Sequence, residues 1–348
     1  MAPALRVIVA DDSPAVRHIL TRTLEAEPDI RVVRAVADGT AAVSATVALR
    51  PDVLTLDLDM PGRDGLGVLE QVMAEAPLPV VLITGVSRAA AEMTQRALEG
   101  GAVDFILKYT PGRRPAAEAL RREIVAKVRA AARVRVIPPV NGSARRSSRR
   151  RLSIKVGERP RELVLVGAST GGPLAVRALL SALPPLPPFP VVIVQHIPAG
   201  FTALLADQLD RRLPFPVIEA RDGDFLAAGI AFVAPGDRHL LIRPDGTVSV
   251  TASAPVRDGH RPSADVTFQS AAMAFGSRVT GIILSGMGDD GTRGLATIAA
   301  NRGTTYAQAP ETCVVESMPR AAIAQNIVQR VGSPDEIGRW LLDTGRCP

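Results

Sequence analysis

LVLVGASTGGPLAVRALL, residues 163–180, passes from an unbroken apolar run through a cluster of small residues into a stretch with helical spacing. Leu163–Val166 reads as a strand buried on both faces, the habit of a parallel sheet covered by helices. The glycines at 167, 171 and 172 permit a sharp turn. Gly167–Gly171 fits G-x-S-x-G, which thrusts Ser169 outward at a strand-to-helix corner. Three uses of such a turn compete at this level: a nucleophile, a phosphate cradle on helix N-terminal amides, and close packing alone. A P-loop is excluded, because no Lys-Ser or Lys-Thr pair closes the turn.

The same strand, turn and helix recur in FPVVIVQHIPAGFTALLADQL (189–209) and VTGIILSGMGDDGTRGLATIAA (279–300), so the C-terminal half reads as an α/β, Rossmann-like parallel sheet. Sites in open sheets of this kind gather beyond the carboxyl ends of the strands, and each of these turns carries a reactive side chain there. A serine hydroxyl attacks poorly until a base takes its proton, and that base is usually a histidine oriented by a carboxylate. Of four histidines, His196 ends the run PVVIVQ at the position equivalent to Ser169. His18 lies in a helical stretch of the other half, and His239 and His260 sit in loop-like surroundings. A strand-end imidazole that merely satisfies its hydrogen bonds is the competing reading of His196. Asp289 or Asp290 can orient the ring, and an Asx-turn or helix cap explains either one alone but not the coincidence of three turns. The order Ser, His, Asp differs from the Ser, Asp, His of the α/β-hydrolase fold, so the motif does not assign that fold.

The N-terminal half repeats the architecture. LRVIVA, VLTL, PVVLIT and VDFIL alternate with helix-like stretches, the pattern of a second doubly wound α/β domain, and Leu120, Ile124 and Val128 mark one face of its last helix. Asp11 and Asp12 follow the first run and Asp57 the second, while Thr84 and Lys108 end two others. A parallel sheet brings all five to one edge. Three carboxylates repel one another there unless a hard divalent cation lies between them, and Mg²⁺, which needs few protein ligands and bridges to phosphate, suits the set.

At 348 residues the chain is long enough for two domains, and 47% apolar with 3% aromatic residues fits alanine- and valine-rich α/β architecture. Its net charge of +6 is unevenly spread: from Pro111 to Arg161 sixteen Lys or Arg face three Glu, an excess of +13, so the remainder carries −7. SARRSSRRR, at Ser143 to Arg151, offers almost nothing to bury, which predicts a flexible linker rather than a binding patch. The expected organisation is a domain over 1–135, a basic linker over 136–160 and a second domain over 161–348. The N-terminus has no secretory signal pattern and no apolar run is long enough to span a membrane, so a cytoplasmic protein without membrane insertion is expected. Cys313 and Cys347 read as free thiols. No helix-turn-helix pattern accompanies the arginines, which argues against DNA as a partner.

VADD, LDLDMPGRDGL, ITG and FILK together resemble the receiver domains of two-component response regulators, over about residues 4 to 130. The resemblance implies a flavodoxin-like fold in which Asp57 takes a phosphoryl group from a histidine kinase. Asp11, Asp12, Asp57 and the Asp59 carbonyl would hold Mg²⁺, Thr84 and Lys108 would read the acyl phosphate, and Phe105 would be the switch aromatic. The proline that usually follows the lysine is Tyr109 here.

GASTGGP, VVIVQHIPAGFTALLA, FVAPGDRHL, HRPSADVTFQSAA, LSGMGDDGTRGL and MPRAA resemble the catalytic domain of the chemotaxis protein-glutamate methylesterases, the CheB family. That resemblance implies Ser169 as nucleophile, His196 as general base, and Asp290 rather than Asp289 as the orienting carboxylate. Met287 would lend an oxyanion-hole amide, with the Thr170 amide as a physical candidate for the second. Ala309 and Ser317 depart from the acidic residue and the glycine more common in the family, and Arg261 is available to acidic substrate helices. The implied reaction is hydrolysis of glutamyl methyl esters on chemoreceptors, with glutamine deamidation as a further activity and no cofactor in the esterase domain. A kinase of the CheA type would supply the phosphoryl group. Phosphorylation is expected to relieve a steric inhibition by the receiver, and the enzyme is expected to be recruited to receptor arrays.

Overall fold

The computed structural model describes residues 3–85, 87–108, 117–134, 159–253 and 260–343. The chain forms two compact units, Met1–Gly142 and Ser143–Pro348. Most of the expected linker over 136–160, together with Tyr109 and Cys347, lies outside the described residues.

In the first unit β1 (Leu5–Ala10), β2 (Ile30–Val36), β3 (Val53–Asp57), β4 (Val80–Thr84) and β5 (Asp104–Leu107) alternate with five helices. These are α1 (Pro14–Glu25), α2 (Gly39–Leu49), α3 (Gly65–Glu75), α4 (Arg88–Glu99) and α5 (Ala117–Ala131). All strand pairs are parallel, in the order β2-β1-β3-β4-β5. β3 and β4 are buried at every position, which is why their sequences are continuous apolar runs. β2 lies at the sheet edge and buries only its two ends, so IRVVRAV shows no such run. Ile124 and Val128 of α5 are buried, as their spacing predicts, and Leu120 is half-buried. Because β1 pairs with both β2 and β3, the winding reverses at β1, and a crevice opens beyond the carboxyl ends of β1 and β3.

The second unit contains seven parallel strands in the order β14-β13-β12-β6-β7-β9-β8. In chain order the first part comprises β6 (Leu163–Ala168), α6 (Gly172–Ser181), β7 (Val191–Gln195), α7 (Phe201–Arg212), β8 (Val217–Glu219) and β9 (Ala231–Val233). An antiparallel hairpin, β10 (His239–Ile242) and β11 (Val248–Thr251), precedes α8 (Ala264–Phe275) and β12 (Val279–Ile283). α9 (Thr292–Ala300), β13 (Thr304–Gln308), α10 (Ser317–Ala324), β14 (Arg330–Gly332) and α11 (Pro334–Asp343) complete it. His239, which the sequence placed in loop-like surroundings, begins β10 and is fully buried.

β6 is the central strand, and successive side chains serve opposite layers: Val164 and Val166 pack with α6, α7 and α11, whereas Leu163 and Leu165 pack with α8 and α9. A strand covered on both faces has no polar positions, which explains LVLV. The winding reverses again at β6, between β12 and β7, so the crevice of this unit lies beyond the ends of these three strands. Among the described residues no helix is long and apolar enough to cross a membrane.

Gly171 makes the corner from β6 into α6 at φ +74°, and a Cβ there would lie 2.4 Å from the Cβ of Val314. Gly171→Ala is therefore expected to lower stability by about 1–3 kcal/mol through backbone strain and overpacking. Urea unfolding followed by fluorescence of Trp340, the chain's single tryptophan, will measure the loss.

Candidate active site

Backbone hydrogen bonds deliver the three turns of the second unit to one place. Ala168 of β6 stands opposite Gln195 of β7, so Ser169 and His196 follow one another in register. The His196 amide donates to Ala168 O at 3.0 Å, and the Gln195 side-chain amide donates to Ser169 O at 2.7 Å. On the other side the Ser169 amide donates to Ser285 O at 3.0 Å, beyond the end of β12. Gly286 abuts the serine so closely that a Cβ there would sit 2.9 Å from Ser169 Cβ and 2.1 Å from Met318 Sδ. Only glycine allows that approach.

Asp290, not the exposed Asp289, meets the imidazole: its Oδ2 lies 2.7 Å from His196 Nε2. The same carboxylate accepts from the Ser263 hydroxyl at 2.8 Å, the Ala264 amide at 2.6 Å and the Asp265 amide at 3.1 Å. Three of these four donors belong to the N-terminus of α8, where Ser263 is the cap. Burial alone would raise the Asp290 pKa, but the His196 ring, the Ser263 hydroxyl and the Ala264 amide outweigh it and hold the group well below the ordinary carboxylate range. α8 returns the contact, since Asp265 accepts the Gly294 amide of α9 at 2.7 Å and pairs with Arg293 at 2.8 Å.

An ionised carboxylate only accepts, so Nε2 carries a proton, and in the neutral ring Nδ1 is left with the lone pair. Nδ1 is buried and has no hydrogen-bond partner, and among the described residues no hydrogen bond joins it to Ser169. His260 covers one face of the ring, stacked in parallel with 4.4 Å between centroids and 3° between planes. The sequence offered no reason to choose His260, because stacking leaves no spacing signature. Ser263 likewise carried no sequence signal as a partner of Asp290. Thr170 is buried and Met287 half-buried, and neither backbone amide makes a hydrogen bond among the described residues. The Ser285 hydroxyl donates to Thr170 O at 2.8 Å. Arg261 is exposed.

The crevice of the first unit gathers the other set. Ligand atoms of Asp11, Asp12 and Asp57 lie within 4.8 Å of one another. Lys108 is ion-paired with Asp57 and, at 3.0 Å, with Asp11 Oδ2. That Asp11 oxygen is buried and accepts no well-aligned hydrogen bond, so it has coordination to spare and the group fits a divalent cation. Burial, chiefly, and the neighbouring Asp11 raise the Asp57 pKa despite Lys108 and the Asp59 amide, which donates to Asp57 at 3.2 Å. Burial works against the Lys108 charge, but the two carboxylates prevail and raise its pKa. Thr84 is buried at the end of β4, its hydroxyl 2.8 Å from that of Thr94 on α4. Phe105 is buried in β5 beneath the Lys127 ammonium, 5.3 Å from the ring centroid.

Comparison with known proteins agrees with both halves. Residues 164–341 match the CheB methylesterase family and residues 7–116 the response regulator receiver domain. A protein-glutamate methylesterase/protein-glutamine glutaminase of Symbiobacterium thermophilum is 41% identical, covering 94% of this chain and 93% of its own. One of the same name from Anaeromyxobacter dehalogenans is 43% identical, covering 95% and 94%. The crystal structure of the Thermotoga maritima CheB methylesterase catalytic domain aligns with a TM-score of 0.51 and 36% identity, over 52% of this chain and 97% of that one.

The depressed pKa of Asp290 fixes a sign. With a folded pKa below the unfolded value, its contribution to stability is complete above about pH 4 and is lost as pH falls toward the folded value. The gap in urea midpoint between the native chain and Asp290→Asn, read from Trp340 fluorescence, is expected to be widest near pH 7 and to narrow toward pH 3.

Proposed function

The chain belongs to the CheB methylesterase family and carries a response regulator receiver domain ahead of its esterase part, and from that premise we propose that Ser169, His196 and Asp290 hydrolyse glutamyl methyl esters of chemoreceptors. The observation that carries this reading is the 2.7 Å bond from His196 Nε2 to Asp290, which leaves the buried Nδ1 as the nitrogen able to accept a proton.

Ser169 Oγ attacks the ester carbonyl while His196 Nδ1 takes its proton, and Asp290 stabilises the imidazolium through Nε2–H. The Thr170 and Met287 amides donate to the oxyanion that forms. Collapse of the tetrahedral intermediate expels the methoxy group, which takes the proton from Nδ1 and leaves as methanol. Water, deprotonated by the same nitrogen, then attacks the acyl-serine, and the serine regains its proton as glutamate is released. Deamidation follows the same course with ammonia leaving, in keeping with the double name of the relatives. The esterase steps need no cofactor.

Phosphorylation regulates this chemistry, with Asp57 as acceptor and a histidine kinase of the CheA type as donor. Asp11, Asp12, Asp57 and the Asp59 carbonyl are the residues that would hold Mg²⁺, which when bound offsets the carboxylate charge and orients phosphoryl oxygens. Lys108 and Thr84 are set to contact the acyl phosphate, and Phe105 is the switch aromatic. The enzyme acts in the cytoplasm at receptor arrays, with no DNA partner.

Methanol release from methylated receptor is the test. Ser169→Ala is expected to lower it by about three orders of magnitude or more, and retained release would place the chemistry elsewhere. A small-molecule phosphodonor with Mg²⁺ is expected to raise turnover of the native chain and to leave Asp57→Asn unchanged. Equal stimulation of both would remove Asp57 from the regulation.

A further inference from the structure

Ser317, the first residue of α10, reaches the turn beside Ser169 from behind. Its hydroxyl donates to Gly286 O at 2.9 Å and accepts the Gly288 amide at 3.1 Å. Those two groups belong to the peptide planes on either side of Met287. In a planar trans peptide the carbonyl and the amide point in opposite directions, so whatever holds Gly286 O also aims the Met287 N–H. A second donor, the Met318 amide, reaches the same oxygen at 3.1 Å, and the Gly286 amide is tied to Val315 O at 2.9 Å. Hydrogen bonds to a peptide carbonyl also polarise that unit and make its N–H a better donor. Among the described residues Ser317 is the side chain that bonds both planes flanking Met287.

We propose that Ser317 is a positioning residue for the oxyanion hole, clamping both peptide planes so that the Met287 amide stays aimed at the developing charge. The inference rests on the reading of Ser169 as nucleophile and Met287 as oxyanion donor. Loss of the hydroxyl leaves the Met318 and Val315 bonds, so the turn persists while the aim of its amide loosens. The oxyanion exists in the transition state and not in bound substrate, so the effect belongs in kcat rather than KM.

The test compares Ser317→Ala and Ser317→Thr with the native full-length chain in methanol release, with Trp340 fluorescence as the check on folding. The alanine variant is expected to lose three- to tenfold in kcat, the range of one modest hydrogen bond, with KM within twofold. Threonine, which keeps the hydroxyl, restores most of that loss. A trifluoromethyl ketone analogue of the glutamyl side chain, whose adduct with Ser169 carries the oxyanion, is expected to bind the alanine variant more weakly by the same factor. Unchanged kcat in Ser317→Ala, a loss confined to KM, or undiminished affinity for the ketone would overturn the clamp. Ser169→Ala run in parallel separates the failures: if it is inert while Ser317→Ala matches the native chain, the clamp alone is wrong. If it remains active, the nucleophile reading falls and the clamp with it.

Discussion

A charged carboxylate removed from water requires donors in its place, and Asp290 has four. The N-terminus of α8 supplies three of them, and His196 the fourth. That bond fixes the ring, its tautomer and the nitrogen left for proton transfer. The arrangement is stiff because it is reciprocal: Asp265, in the first turn of α8, accepts the Gly294 amide from the first turn of α9, the helix that follows Asp290. Two helix starts thus hold each other's loops, and the imidazole is oriented by the same packing that builds the layer over β6 and β12. His260 closes one face of the ring, which further restricts its rotation.

Both units solve the same placement problem. Parallel strands end at a common edge, and the strand where the winding reverses leaves room between neighbouring connections. In the first unit that strand is β1, and the crevice collects carboxylates with Lys108 as counter-charge. In the second it is β6, and the crevice collects a hydroxyl, an imidazole and a carboxylate. Their electrostatics differ in kind. Burial dominates at Asp57 and raises its pKa, a state that a bound cation would relieve by offsetting the carboxylate charge. Hydrogen bonds dominate at Asp290 and keep it ionised, as a partner for an imidazolium requires.

The parts of the fold legible in the sequence are those in which burial is complete. LVLV, PVVIV and PVVLIT advertise strands covered on both faces, and the residues at or just past the carboxyl end of each strand fall at the functional edge by register, which is why Ser169, His196 and Thr84 could be read directly. β2 was missed because an edge strand keeps polar residues, and β8, β9 and β14 because three residues carry no periodicity. The choice of Asp290 over Asp289 came from family resemblance, since two adjacent aspartates are equivalent until the α8 N-terminus selects one. The stack of His260 on His196 and the reach of Ser317 to Gly286 and Gly288 join segments far apart in the chain, and no local pattern encodes them.

The most direct measurement of the central interaction is the imidazole nitrogen NMR spectrum of His196 in the full-length chain near neutral pH. The structure predicts that the neutral ring carries its proton on Nε2, strongly hydrogen-bonded in the native chain and no longer so in Asp290→Asn, with Nδ1 bare. A spectrum with the proton on Nδ1, or an Nε2 proton indifferent to the loss of Asp290, would contradict it.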